Sequence, residues 1–325
     1  MGTLRAAVIG VGYLGNFHAQ KYALIADVDL YAVVDTDLAR AREIAQKYDT
    51  RAVTEYRGIL SQVDLVSIVV PPSRHYDIAF DCLAAGVHAL VEKPVTETVG
   101  EAEELIRLAN ERDLVLQVGH LERFNPLVHG LKERAAAPHL IEAQRFAEYK
   151  SRGTEVDVVL DLMIHDIDIV LSIVDSALVA VHSSGTAVVT NDIDIAHARL
   201  EFENGCVAEL SASRVSQEAA RIMKIYQDDS YLVVDYVNHE MHVGTVEDGR
   251  EEPAHREAGL EAHIVAGTDV LMAEIVSFIE AVRSGSAPKV TGEDGKRALE
   301  VAIEVSRRIN RYRATGTTAP DIQNG

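Results

Sequence analysis

Apolar and polar positions follow two different rhythms along this chain. From Leu4 to about Gly119, short apolar runs alternate with helical patterns, and LRAAVIG, LYAVVD, DLVSIVV, VHALVEKP and LVLQVG read as buried strands. Strands apolar on both faces belong to a parallel sheet covered by helices on each side, which predicts a doubly wound α/β domain over residues 1–120. Beyond it the rhythm changes. HLIEAQRFAEYK, IDIAHARLEFENG, CVAELSASRVS and ARIMKIYQDDS alternate polar with apolar positions, and Glu203-Asn204-Gly205 gives a turn signal between two of them. These predict an open, largely antiparallel sheet in an α+β domain over residues 121–313, with helices near 161–174, 265–283 and 293–313. GTVEDGREEPAHREAG reads as a charged surface loop and residues 314–325 as a flexible tail.

Composition agrees with a globular chain, and charge narrows its partners. Of 325 residues, 47% are hydrophobic and 25% charged, enough apolar material for two buried cores. Thirty-one basic against 51 acidic residues leave a net charge of −20, a field that repels nucleic acid. An anionic cofactor stays compatible with it, because helix-terminal amides and a few local arginines hold a diphosphate whatever the overall sign. Cys82 and Cys206 lack metal-ligand spacing and make no disulfide framework, and no apolar run approaches the roughly 18 residues of a membrane span. The expectation is a cytoplasmic protein with no membrane partner.

Gly10, Gly12 and Gly15 form G-x-G-x-x-G, with Tyr13 and Leu14 between the last two, where the first predicted strand meets a helix pattern. The first glycine permits a sharp turn, the second lets the backbone approach a pyrophosphate, and the third lets the helix pack on the strand. The helix N-terminus is left facing the phosphates. Asp35 follows Gly15 by 20 residues, at the end of the second predicted strand, where a carboxylate accepts hydrogen bonds from ribose hydroxyls and repels a 2′-phosphate. Asp37 adds to that repulsion, and Arg40 is the nearby cation that opposes it. Strand, turn, helix and acid together predict a Rossmann domain that binds NAD.

From His75 to Pro94 the chain reads HYDIAFDCLAAGVHALVEKP. With the glycine loop, the Pro71-Pro72 turn, Glu92-Lys93-Pro94, RFNP and DLMIHDIDI, it resembles the family named after glucose-fructose oxidoreductase, inositol dehydrogenase and the rhizopine catabolism protein, over nearly its whole length. The resemblance implies that the helix 293–313 returns to the nucleotide-binding domain. It also implies a cofactor site made of Gly10, Gly12, Tyr13, Leu14, Gly15, Asp35, Pro71, His75, Glu92 and Lys93. Lys93 matches the family's lysine at the mouth of the cleft, where an ammonium binds a substrate hydroxyl, stabilises a developing alkoxide and tunes proton transfer.

Asp161, His165 and Asp168 are spaced by four and three residues, so they share a helix face on which a carboxylate orients an imidazole. The resemblance makes Asp161 and His165 the pair facing the nicotinamide, with His165 catalytic or substrate-positioning and Asp166 and Asp168 structural. Arg123 and Asn125 of RFNP open the second domain and are expected to hold substrate oxygens. Arg145, Lys150 and Arg152, where they converge, make an anion site, with Arg152 a substrate contact. No metal is expected, because no third ligand accompanies Asp161 and His165 and hydride transfer to NAD needs no Lewis acid beside Lys93.

The implied reaction removes hydride from a secondary hydroxyl of a sugar or sugar nucleotide. QVGHLERFNP followed by VDVVLDLMIHDID resembles the branch of the family that oxidises C3 of UDP-N-acetylglucosamine. Three alternatives stay open: a polyol or inositol dehydrogenase, an enzyme that returns the hydride within one turnover, and a regulatory protein that binds NAD without turnover. The outer face of an open antiparallel sheet needs cover, which predicts a homodimer or homotetramer.

Overall fold

Six strands lie side by side, all parallel, in the first part of the molecule. The structure is a computed structural model, and it describes residues 2–149, 156–228, 230–246, 258–264 and 268–315. The strands are β1 (Leu4–Ile9), β2 (Val28–Val34), β3 (Arg51–Val53), β4 (Leu65–Ile68), β5 (His88–Glu92) and β6 (Leu116–Gly119), in the order β3-β2-β1-β4-β5-β6. The order reverses between β1 and β4, the switch point beside which such sheets take ligands. One face buries Ala7, Ile9, Val66 and Val91 with residues of α3 (His75–Ala84) and α4 (Val99–Glu111). The other buries Ala6, Val8, Leu65 and Leu90 with residues of α1 (Tyr13–Leu24), α2 (Leu38–Tyr48) and α7 (Val270–Ser284). The predicted doubly wound sheet is present, with one strand more than the five apolar runs. β3 has only three residues, Arg51 exposed and Ala52 and Val53 half-buried, too few to show a rhythm.

The chain does not divide at one cut near residue 120. Its compact units are Met1–Asn125 with Thr268–Leu299, and Pro126–Gly267 with Glu300–Gly325. Helix α7, expected in the second domain, belongs to the first because Ile275, Phe278 and Ile279 are at most 2% exposed there. Burial of each side chain contributes about 1.5–3 kcal/mol. The last helix, α8 (Gly292–Thr315), has its first turns in the first unit and the rest in the second, and it includes residues 314 and 315 of the expected tail.

The second unit holds α5 (Pro126–Arg134), β7 (Leu140–Phe146), a π-helical turn (Val159–Met163) continuing into α6 (Ile164–Ile173), and the strands β8 (Leu178–Thr186), β9 (Ile195–Phe202), β10 (Val207–Ser213), β11 (Ala220–Tyr226), β12 (Ser230–Asp235), β13 (Glu240–Val246) and β14 (Ala258–Ile264). They form one eight-stranded sheet in the order β14-β13-β12-β11-β7-β10-β9-β8, parallel at β7–β10 and antiparallel at every other pair. Alternation sorts the faces: Ala196, Ala198, Leu200 and Phe202 of β9 are buried, while His197 and Arg199 are exposed. Gly205, at φ 86°, makes the predicted β9–β10 turn. The stretch expected as a loop over 244–259 instead contains the end of β13 and the start of β14, and residues 247–257 lie outside the described residues. Among the described residues no helix is long and apolar enough to cross a membrane.

Candidate functional site

The glycine loop has the shape a diphosphate requires. Gly10 has φ +86°, and a Cβ on it would lie 2.3 Å from the Val69 carbonyl oxygen; a Cβ on Gly15 would lie 1.9 Å from the Gly10 carbonyl oxygen. At Gly12 a Cβ would meet nothing within 4 Å. Gly12 is also the N-cap of α1 and offers no side-chain acceptor, so the first-turn amides keep their capacity for an outside anion. Tyr13 and Leu14 are exposed beside it. Asp35, half-buried, accepts the Val11 N–H at 3.1 Å and the Asp37 N–H at 3.0 Å, one on each oxygen, which fixes the carboxylate against the loop while each oxygen keeps a further lone pair. These features fit a dinucleotide. Asp37 acts elsewhere, its side chain capping α2 by accepting the Ala39 and Arg40 N–H groups.

The ends of β4 and β5 are clipped together by a histidine. Pro71 is exposed and starts the turn after β4, and His75 opens α3 with 1% of its surface exposed. Its Nδ1 lies 2.8 Å from the Pro94 carbonyl oxygen and its Nε2 2.8 Å from that of Val70. Burial pulls the His75 pKa below the usual histidine value, against those two hydrogen bonds. His75 thus ties the loop after β4 to the loop after β5. Lys93, half-buried, follows β5, and its N–H donates to Glu92 Oε2 at 3.3 Å. Glu92 is buried beside a histidine: it is 8% exposed, with Oε1 3.3 Å from His18 Nε2. Burial opposes its charge, but His18 and Lys93 hold its pKa below the ordinary glutamate value.

Arg123 and Asn125 fall in the first unit and have protein partners. Arg123 Nη2 lies 3.4 Å from Asp294 Oδ1 on the first turn of α8, and Asn125 Nδ2 donates to Glu122 Oε2 at 3.0 Å. In the second unit, Asp157 accepts the Val159 and Leu160 N–H groups and starts the π-helical turn that carries Asp161. Asp161 and His165 are half-buried, whereas Asp166 and Asp168 are 3% and 1% exposed. Asp168 is thus more enclosed than its expected face-mates.

Arg145 does not sit in an open anion site. It is 3% exposed and grips Asp166 by Nε, at 3.2 and 3.1 Å to the two oxygens, and by Nη2 at 2.8 Å. The forked geometry makes it a structural ion pair. Lys150 and Arg152 lie outside the described residues. Sequence reasoning also missed Glu274, a wholly buried acid on α7. A signal for it exists, since a lone charge stands within the apolar run VLMAEIVSFI.

Residues 4–120 match the oxidoreductase family with an NAD-binding Rossmann fold, and residues 134–233 match the GFO/IDH/MocA C-terminal domain. The chain belongs to the Gfo/Idh/MocA oxidoreductase family. Among its Gfo/Idh/MocA relatives is the UDP-N-acetylglucosamine 3-dehydrogenase of Acidithiobacillus ferrooxidans, 42% identical over 95% of this chain and 98% of that one. A solved structure of that enzyme has a TM-score of 0.89 at 40% identity, covering 96% of this chain and 99% of its own. Myo-inositol 2-dehydrogenase of Thermotoga maritima is 26% identical over 96% and 98% of the two chains. Levoglucosan dehydrogenase, solved in complex with NADH, shares the fold at a TM-score of 0.85 and 17% identity, over 95% and 97%. The Gfo/Idh/MocA family binds NAD, and these relatives are dehydrogenases of sugars or polyols.

Proposed function

We propose that the chain oxidises C3 of UDP-N-acetylglucosamine. The observation that carries this reading is the 42% identity, across 95% of the chain, to the Acidithiobacillus ferrooxidans enzyme. NAD, when bound, supplies the hydride acceptor. The open space at Gly12 and the uncapped start of α1 support a pyrophosphate there, flanked by Gly10, Tyr13, Leu14, Gly15 and Pro71, with Asp35 accepting the ribose hydroxyls. Lys93 binds the reacting hydroxyl, His165 takes its proton as the carbinol becomes a carbonyl, and Asp161 orients the imidazole. His75 and Glu92 act by holding the loop that carries Lys93. Arg152 is the candidate for the diphosphate, and Arg123 and Asn125 would have to exchange Asp294 and Glu122 for sugar oxygens.

A polyol substrate is the second reading. The commitment of Arg145 to Asp166 favours it, because one of three cations expected at a diphosphate is spent elsewhere. The two are separated by mixing the chain, NAD and UDP-N-acetylglucosamine with and without an aminotransferase and amino donor, and following NADH and the nucleotide's mass. NADH with a 3-keto sugar nucleotide, or its aminated product, is expected. Turnover of inositol or free glucose, with neither product from the nucleotide, would contradict the proposal.

The setting we propose is the cytoplasm, and the working form a homodimer or homotetramer. On the sheet face opposite the Arg145–Asp166 pair, Phe146, Ile222, Tyr226 and Val233 are only half-buried, and a second copy of the chain would cover them.

A further inference from the structure

Helix α7 carries an acid into an otherwise apolar packing. Glu274 is 0% exposed, its helical neighbours Ile275 and Phe278 are equally buried, and neither carboxyl oxygen has a hydrogen-bond partner among the described residues. His18 of α1, also 0% exposed, and Glu92 of β5 converge on it, so that one donor atom from each of the three lies within 4.8 Å of the others. Tyr22 hydrogen-bonds Ser67 at 2.9 Å in the same interior, and Gln117 Nε2 donates to the Glu274 main-chain carbonyl at 3.2 Å while its Oε1 stays unbonded among the described residues. On its other side the Glu92 carboxylate is backed by Gly119, where a Cβ would come within 3.0 Å.

Two ionised carboxylates this close in a buried interior repel strongly, so one of them keeps a proton. The surroundings choose which. Glu92 has the Lys93 N–H, His18 and the Lys93 charge in its favour; Glu274 has no donor among the described residues. Burial and the Glu92 charge both push Glu274 well above the ordinary glutamate range.

We propose that Glu274 is a positioning residue: a neutral carboxylic acid that donates, directly or through one water, to the Glu92 carboxylate and so fixes the Glu92–Lys93 peptide and the Lys93 ammonium. The proposal rests on the role given to Lys93 above. It assigns the Glu92-Lys93-Pro94 loop two supports, His75 on the Pro94 carbonyl and the His18–Glu92–Glu274 cluster behind Glu92. The same three donors also describe a cage for a divalent cation, and the test separates that case.

Infrared spectra of the full chain with NAD, compared with Glu274→Gln, read the proton without any sugar substrate, so this readout stands or falls apart from the assigned reaction. A protonated-carboxyl C=O band that disappears in Glu274→Gln is expected; identical spectra in that region would overturn the proposal. One equivalent of divalent metal retained by the purified chain through dialysis would also overturn it. On whichever substrate turns over, Glu274→Gln should keep kcat within about threefold, because the amide still donates. Folded Glu274→Leu should lose about tenfold or more in kcat at unchanged KM, since a displaced Lys93 misses its geometry. Equal kcat for the Gln and Leu variants would remove the positioning role.

Discussion

Buried acids are managed differently in the two units of this molecule. In the second unit Asp166 is gripped by Arg145, and Asp194, 0% exposed, accepts three main-chain N–H groups and the Thr190 hydroxyl. In the first unit Glu92 has His18 at 3.3 Å, and Glu274, with a carboxyl oxygen within 4.8 Å of a donor atom of each, has no hydrogen-bond partner among the described residues. A charge left in a protein interior needs a counter-charge, a set of N–H groups or a proton. The second unit uses the first two solutions to hold its shape. The first unit uses the third, directly behind the lysine assigned to the chemistry.

The largest effect should come from breaking the ion pair. Arg145→Met takes the forked guanidinium away from the buried Asp166 carboxylate and should cost about 3–5 kcal/mol in denaturant unfolding, while Arg145→Met with Asp166→Leu should recover most of it. A single variant no less stable than a surface substitution would show that the pair does not hold α6. Next in size, Lys93→Met and His165→Ala should each lower turnover by about 100-fold or more with NAD affinity nearly unchanged, measured by steady-state kinetics and calorimetry. Turnover at the parent rate would take that residue out of the mechanism.

The glycine loop, Asp35 and the doubly wound order are legible in the sequence because each depends on residues close along the chain, where spacing carries the geometry. The hairpin at Gly205 is legible for the same reason. Arg123 with Asp294 and Glu92 with Glu274 are partnerships across more than 170 residues, and no local pattern announces them. The sequence groups Arg145 with Lys150 and Arg152 as a conditional anion site because they stand close along the chain; the inward register of Arg145 is visible only with the position of Asp166. The discontinuity of the first unit leaves no local trace, because α7 follows the second sheet in sequence and its apolar face suits either partner.

A smaller effect sharpens the reading of Asp35. NAD should bind at least about tenfold more tightly than NADP, roughly 1.4 kcal/mol, and Asp35→Ser should narrow that gap. Equal dissociation constants for the two cofactors in the parent chain would break the assignment. The smallest expected effect concerns Asp194. Burial works against its charge, but the N–H groups of Thr190 and Val188, with further donors, hold its pKa down to about 2 from an ordinary 3.8. Its stabilisation is therefore complete above the ordinary value and is lost as pH falls through about 2. Unfolding curves over that acid range should show a component that Asp194→Asn lacks; superimposable pH dependences would contradict it.

The most direct measurement follows the hydride itself. UDP-N-acetylglucosamine carrying deuterium at C3 is incubated with the chain, NAD and an aminotransferase couple, and the reduced cofactor is analysed by mass spectrometry. Deuterated NADH should appear in step with loss of label from the sugar nucleotide. Unlabelled NADH, or a sugar nucleotide that keeps its deuterium while a polyol is oxidised in its place, would contradict C3 oxidation by this chain.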